Sequence, residues 1–177
     1  GKTTITSMIL HVLNFHKIDC DYMVGAQLEG FDTMVKLTQS AKIAVIEGDE
    51  YLSSPIDRRP KFHLYFPNIA IISGIAWDHI NVFPTFEIYV EQFQKFIQLI
   101  SENGTLIYCE KDDEVKKLGE AAGDNLKKLP YGIPRHIIEN GSTSLLGKSD
   151  HEKYPLRIFG EHNLMNLEAA RLACAEI

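Results

Sequence analysis

Apolar positions recur along this chain with two periods, and each period predicts a kind of element. Ile5, Met8, Ile9, Val12 and Leu13 fall at i, i+3, i+4, i+7 and i+8, which predicts a helix with one apolar face over residues 3–15. Phe86, Tyr89, Val90, Phe93, Phe96, Ile97 and Ile100 repeat that spacing and stop before Asn103-Gly104, where a second helix should end. Residues 42–46, 69–75 and 105–108 are instead short apolar runs without polar alternation. Such runs suit parallel strands covered on both faces. A further short strand is expected at 21–24, and helices at 112–121 and 161–177. The alternation of strand and helix predicts an α/β fold: a doubly wound, mainly parallel sheet flanked by helices.

After Gly123 the texture changes. Segments 129–131, 135–139, 143–146 and 156–159 are short and broken by Gly, Pro and Asn. They predict a small, largely antiparallel β element in the C-terminal third.

Composition narrows the classes. A chain of 177 residues, 45% hydrophobic, suits a single domain with a substantial core. The net charge of −6 argues against a nucleic-acid-binding surface. Cys20, Cys109 and Cys174 are far apart and odd in number, which suits reduced, buried thiols and not a disulfide framework or zinc site. No apolar run approaches the roughly 18 residues of a membrane span, so a cytoplasmic domain with no membrane partner is expected. The chain opens on Gly1, without a lead-in strand, and reads as a fragment.

Four polar clusters sit where ligands bind in open α/β sheets. Gly1-Lys2-Thr3-Thr4 precedes the first helix. Backbone N–H groups at a helix start can cradle phosphate, a lysine can reach the terminal phosphates, and a hydroxyl can ligate Mg²⁺. An ordinary helix cap would use the same residue types. Glu47-Gly48-Asp49-Glu50 follows a strand, and three acids in four residues repel one another unless a cation is near. Asp78-His79 follows the next strand, and a neutral imidazole there can ligate a metal or orient a phosphate. Asn163 and Asn166 share a face of the last helix, where two amides could meet the edge of an adenine. Asp57-Arg58-Arg59-Pro60-Lys61 is a fifth charged cluster, read as a solvated loop or a substrate contact.

Taken in order, Gly1-Lys2-Thr3-Thr4, Glu47-Gly48-Asp49-Glu50, Asp78-His79 and His162-Asn163-Leu164-Met165-Asn166 resemble the central domain of the Mur ligase family. The resemblance implies a P-loop cut by the start of the chain, with flanking N-terminal UDP-binding and C-terminal ligase domains absent from residues 1–177. It implies ATP and Mg²⁺ as cofactors. Gly1, Lys2, Thr3 and Thr4 would hold phosphate, with Lys2 on the β- and γ-phosphates. Thr3, Glu47 and His79 would serve the metal and γ-phosphate, and Asn163 and Asn166 the adenine.

The implied activity is an ATP-dependent amide ligase of peptidoglycan synthesis or recycling. It would activate the carboxylate of UDP-N-acetylmuramate as an acyl phosphate and couple it to an amino acid or a murein tripeptide. Residues 50–62 resemble the murein-recycling branch more than the alanine-adding one. The fragment alone should not ligate anything. The family's carbamylated lysine has no clear counterpart among Gln92, Gln94 and Lys95. The rival readings are a folylpolyglutamate or cyanophycin synthetase, a P-loop kinase or NTPase, and a non-catalytic nucleotide-binding module.

Overall fold

The structure, a computed structural model, describes residues 1–27, 30–31, 33–78 and 80–177. It is a mixed α/β fold. Among the described residues the strands form three sheets of three strands each.

Helix α1 (Lys2–Phe15) starts directly after Gly1 and buries Ile5, Thr6, Ile9, Leu10 and Leu13. The buried stripe is therefore rotated from the expected one, with Val12 36% exposed. The cause is its partner. α1 packs against α4 (Glu161–Ala175), whose buried face is Leu164, Asn166, Ala169, Ala170 and Ala173. Alanines at three of those positions let the two helix backbones approach closely.

The first sheet holds β1 (Asp21–Met23), β2 (Val35–Lys36) and β3 (Ala44–Ile46). β1 is central, antiparallel to β2 and parallel to β3. The second sheet is wholly parallel: β4 (Ile69–Ile72), β5 (Thr105–Cys109) and β6 (Lys127–Tyr131). Every residue of β5 is buried, as its unbroken apolar run implies. α2 (Phe86–Gln98) connects β4 to β5, and α3 (Asp113–Ala121) connects β5 to β6.

Residues 129–131 thus lie in the parallel sheet, not in the antiparallel element expected for them. A helical crossover returns the chain parallel to the strand it left, and α3 supplies one. Gly119 permits this, since a Cβ there would lie 2.5 Å from the Tyr108 ring beneath it.

The third sheet, β7 (His136–Glu139), β8 (Ser142–Leu146) and β9 (Lys153–Pro155), is antiparallel throughout. It is the small C-terminal β element, with its last strand at 153–155 and not at 156–159. The main hydrophobic core runs from Ile5 to Ala173 through the helices and the other two sheets, and draws nothing from residues 136–155. Cys20 and Cys109 are buried free thiols and Cys174 a partly buried one.

Candidate nucleotide site

The start of α1 and the end of β3 meet. Gly1 is the N-cap, no side chain caps the first turn, and no acid lies in that turn. Its backbone N–H groups therefore keep the electropositive character of a helix N-terminus. Thr3 Oγ1 donates to Glu47 Oε1 at 2.8 Å, and Gly25 N–H donates to Glu47 Oε2 at 3.1 Å. A Cβ at Gly25 would stand 2.9 Å from Glu47 Oε1, so the Glu47 carboxylate would have to shift to admit a side chain there. Lys2 Nζ pairs with Glu50 Oε2.

The acidic run is stable because its members turn to different partners. Glu47 faces Thr3 and Gly25, and Glu50 faces Lys2. Asp49 Oδ2 accepts from Lys61 Nζ at 2.7 Å, and its Oδ1 accepts from the backbone N–H of Tyr51 at 2.9 Å. Burial works against ionisation of Asp49. The Lys61 and Tyr51 hydrogen bonds, with the charges of Lys61 and Lys2, still bring its pKa below the ordinary carboxylate value.

Two further elements reach this edge. Tyr89 of α2, 2% exposed, donates its hydroxyl to Glu50 Oε1 at 3.4 Å. Burial pushes the phenol pKa up, and the charges of Glu50 and Asp78 push it further. Asp78, on the loop after β4, thus lies within electrostatic reach of the Glu50 end of the cluster. Asp112 ties that loop down: its Oδ2 accepts from Ile75 N–H at 2.9 Å while its Oδ1 accepts from Glu114 and Val115 at the start of α3. His79, the metal and γ-phosphate candidate, lies outside the described residues.

Asn166 is 8% exposed, and its Oδ1 accepts from the Gly1 amine at 3.3 Å. The last helix therefore abuts the start of α1. Asn163, one turn earlier, is partly exposed and donates to the Phe159 carbonyl at 3.0 Å. Thr4 sits in the first turn, and its carbonyl accepts from Ser7.

The basic cluster is largely self-contained. Arg59 binds the Asp57 carboxylate through two nitrogens, at 3.0 and 2.7 Å, and holds its pKa down to about 2. Leu52 bridges to Pro60 across the base of this loop. Arg58 is exposed.

Sequence reasoning missed Asp112, taken as merely the first residue of a helix, and Tyr89, taken as one of a stripe of core aromatics. Asp112 carried a signal, since an Asp followed by acids at a helix start is an N-cap pattern. Tyr89 carried none.

For Mg²⁺, the Thr3 hydroxyl and Glu47 carboxylate are adjacent oxygen donors of the hard type the ion prefers. Among the described residues, no group of three or more His, Cys, Asp and Glu forms a cage. The donor pair fits an ion that keeps several waters.

Known proteins share the sequence pattern and the fold of this chain. The sequence pattern of the Mur ligase middle domain matches residues 1–174. The UDP-N-acetylmuramate–L-alanine ligase of Parabacteroides distasonis is 32% identical over 133 residues, 75% of this chain and 26% of that protein. Among solved structures, the UDP-N-acetylmuramate:L-alanyl-gamma-D-glutamyl-meso-diaminopimelate ligase from Neisseria meningitides superposes with a TM-score of 0.78 at 24% identity. It covers 99% of this chain and 58% of that one. The MurF ligase of Thermotoga maritima, in complex with ADP, gives 0.71 at 17% identity, over 99% and 43% of the two chains. The chain thus spans about a quarter to three fifths of these relatives' lengths. With its middle-domain pattern matched over nearly its whole length, the chain belongs to the Mur ligase family.

Proposed function

We propose that this chain is the ATP-binding domain of a longer amide ligase, a P-loop-containing, doubly wound unit flanked in the full-length protein by substrate domains. The enzyme would convert the carboxylate of UDP-N-acetylmuramate to an acyl phosphate and pass it to the amine of an amino acid or murein tripeptide. The observation that carries the reading is the meeting of Lys2 and Thr3, at an uncapped helix N-terminus, with Glu50 and Glu47. A cation, a hydroxyl, free helix N–H groups and carboxylates are the parts that phosphoryl transfer from a nucleotide requires. An ADP complex of a family member with the same fold gives further support.

In this mechanism the first-turn N–H groups receive phosphate oxygens. Lys2 exchanges Glu50 for the β- and γ-phosphates, offsetting the charge that builds as two anions meet. Thr3 and Glu47 would hold Mg²⁺, which when bound neutralises phosphate charge. His79 would act beside the γ-phosphate. Asn163 and Asn166 would hold the adenine from α4. The transfer leaves ADP and an acyl phosphate, and the incoming amine then displaces phosphate to form the amide.

The test is phosphate release by the full-length protein with ATP and UDP-N-acetylmuramate, supplied with murein tripeptide, with L-alanine or with neither. Release in one amine arm is expected and names the acceptor. Equal release in all three would end the ligase reading.

A further inference from the structure

The charged segment after the acidic run is a hairpin rooted on the candidate site. Phe62 N–H donates to the Asp49 carbonyl at 3.2 Å, Lys61 N–H to the Tyr51 carbonyl at 2.9 Å and Ser53 N–H to the Arg59 carbonyl at 2.8 Å. Both ends leave from residues already engaged there: Glu50 holds Lys2 and Tyr89, and Lys61 holds Asp49. A 3₁₀ turn at Lys61–Leu64 then fixes the returning arm. Phe62 packs on Phe93 and Phe96, with ring centroids 5.5 and 5.0 Å away, and His63 Nε2 lies 2.8 Å from the Gln92 carbonyl.

The tip is ordered without being packed. Ile56 is 96% exposed, so apolar burial does not hold it in place. Hydrogen bonds do: Ser53 Oγ donates to the Asp57 carbonyl at 2.9 Å, Asp57 N–H to Ser54 Oγ at 2.8 Å and Ser54 N–H to the Asp57 carbonyl at 3.1 Å. The Asp57 carboxylate neutralises Arg59. Arg58 is exposed and, among the described residues, pairs with no carboxylate. A fixed backbone thus presents one uncompensated guanidinium, whose planar fork matches a carboxylate.

We infer that Arg58 binds a carboxylate of the amine acceptor, and that the acceptor it selects is a short peptide and not a single amino acid. Distance makes the choice. Arg58 lies one residue beyond the Ser53–Arg59 pair, so at about 3.3 Å per residue it stands about 10–13 Å along the hairpin from Glu50. In a single amino acid the amine and the carboxylate share one carbon, so one molecule does not bridge that length. A peptide of three residues spans about 10 Å. Its amine can stand at the Lys2 and Glu50 end while a carboxylate of its last residue meets Arg58. The phosphates of a nucleotide belong at Lys2, the length of the hairpin away. The inference deepens the ligase reading and rests on it.

Steady-state kinetics of the full-length protein test it, comparing the parent with Arg58→Ala and Arg58→Lys. Arg58→Ala should raise the KM for murein tripeptide about ten- to hundredfold, leave the KM for ATP and for UDP-N-acetylmuramate unchanged, and be partly rescued by Arg58→Lys. A tripeptide amidated at the carboxyl groups of its last residue should lose a similar factor with the parent and nothing more with Arg58→Ala, the signature of one shared contact. An unchanged tripeptide KM, an equal loss with the amidated peptide, or a shift in the KM for ATP or UDP-N-acetylmuramate instead would overturn the proposal. A parent that uses L-alanine and not the tripeptide would overturn it too, with the ligase reading intact. Equal phosphate release in every arm is the failure of the ligase reading itself. Calorimetric titration of the tripeptide then decides the role of Arg58 without turnover: weaker binding by Arg58→Ala supports it, and equal binding or none overturns it.

Discussion

Replacing Asp112 separates two functions that the structure unites in one carboxylate. Its Oδ1 caps α3 through Glu114 and Val115 N–H, and its Oδ2 holds Ile75 N–H at 2.9 Å. Loss of an N-cap costs about 1 kcal/mol, and loss of a charged acceptor from a partly buried N–H about 1.5–3 kcal/mol. Asp112→Ala should therefore lose about 2.5–4 kcal/mol, which for a domain of this size lowers the Tm by about 5–15 °C. Asp112→Asn keeps a cap of similar quality and loses the second carboxylate oxygen, so about 1–2 kcal/mol is expected. Urea titrations with fluorescence detection would measure both, Trp77 lying on the affected loop. The loop should also show faster amide exchange at 75–78 in both variants. If Asp112→Ala falls within about 0.5 kcal/mol of the parent, or if the two variants are indistinguishable, Asp112 does not couple the loop to α3.

Three further outcomes follow from other parts of the molecule. Lys2→Ala should abolish ATP turnover in the full-length protein yet shift the Tm by no more than about 4 °C, because its half-exposed pair with Glu50 is worth about 0–1 kcal/mol; a large Tm loss would assign Lys2 to the fold instead. Leu106, fully buried in β5, should cost about 2–5 kcal/mol when changed to Ala, seen as a lower urea midpoint at constant slope. His63 is 6% exposed, with Nε2 placed 2.8 Å from the Gln92 carbonyl, and burial lowers its pKa, the nearby Lys95 and Arg59 charges adding to this. The unfolded state then binds the proton more readily, so its contribution is complete above about pH 6.5 and is lost as pH falls through the lower folded value. Urea midpoints at pH 8, 6.5 and 5 should fall more steeply for the parent than for His63→Gln, and parallel profiles would contradict this.

Local pattern was enough for most elements. Helices at 2–15, 86–98, 113–121 and 161–175 and strands at 21–23, 44–46, 69–72 and 105–109 lie where periodicity and apolar runs put them. An amphipathic helix or a buried strand records its own burial in its own residues. The order of the four polar motifs was likewise readable, because each follows a strand or opens a helix. What the sequence could not state was pairing. Which sheet receives residues 127–131 depends on α3 crossing over β5, and the rotation of the α1 stripe depends on the alanines of α4, more than 150 residues away. The partners of the acidic run are equally remote: Glu47 meets Thr3, Glu50 meets Lys2 and Tyr89, and Gly1 meets Asn166 across 165 positions. Hydrophobic period is a property of a segment, whereas a hydrogen-bond partner is chosen when distant segments close on each other. The sequence alone therefore determined the elements and the chemistry at their ends. The tertiary structure decided which of those ends meet.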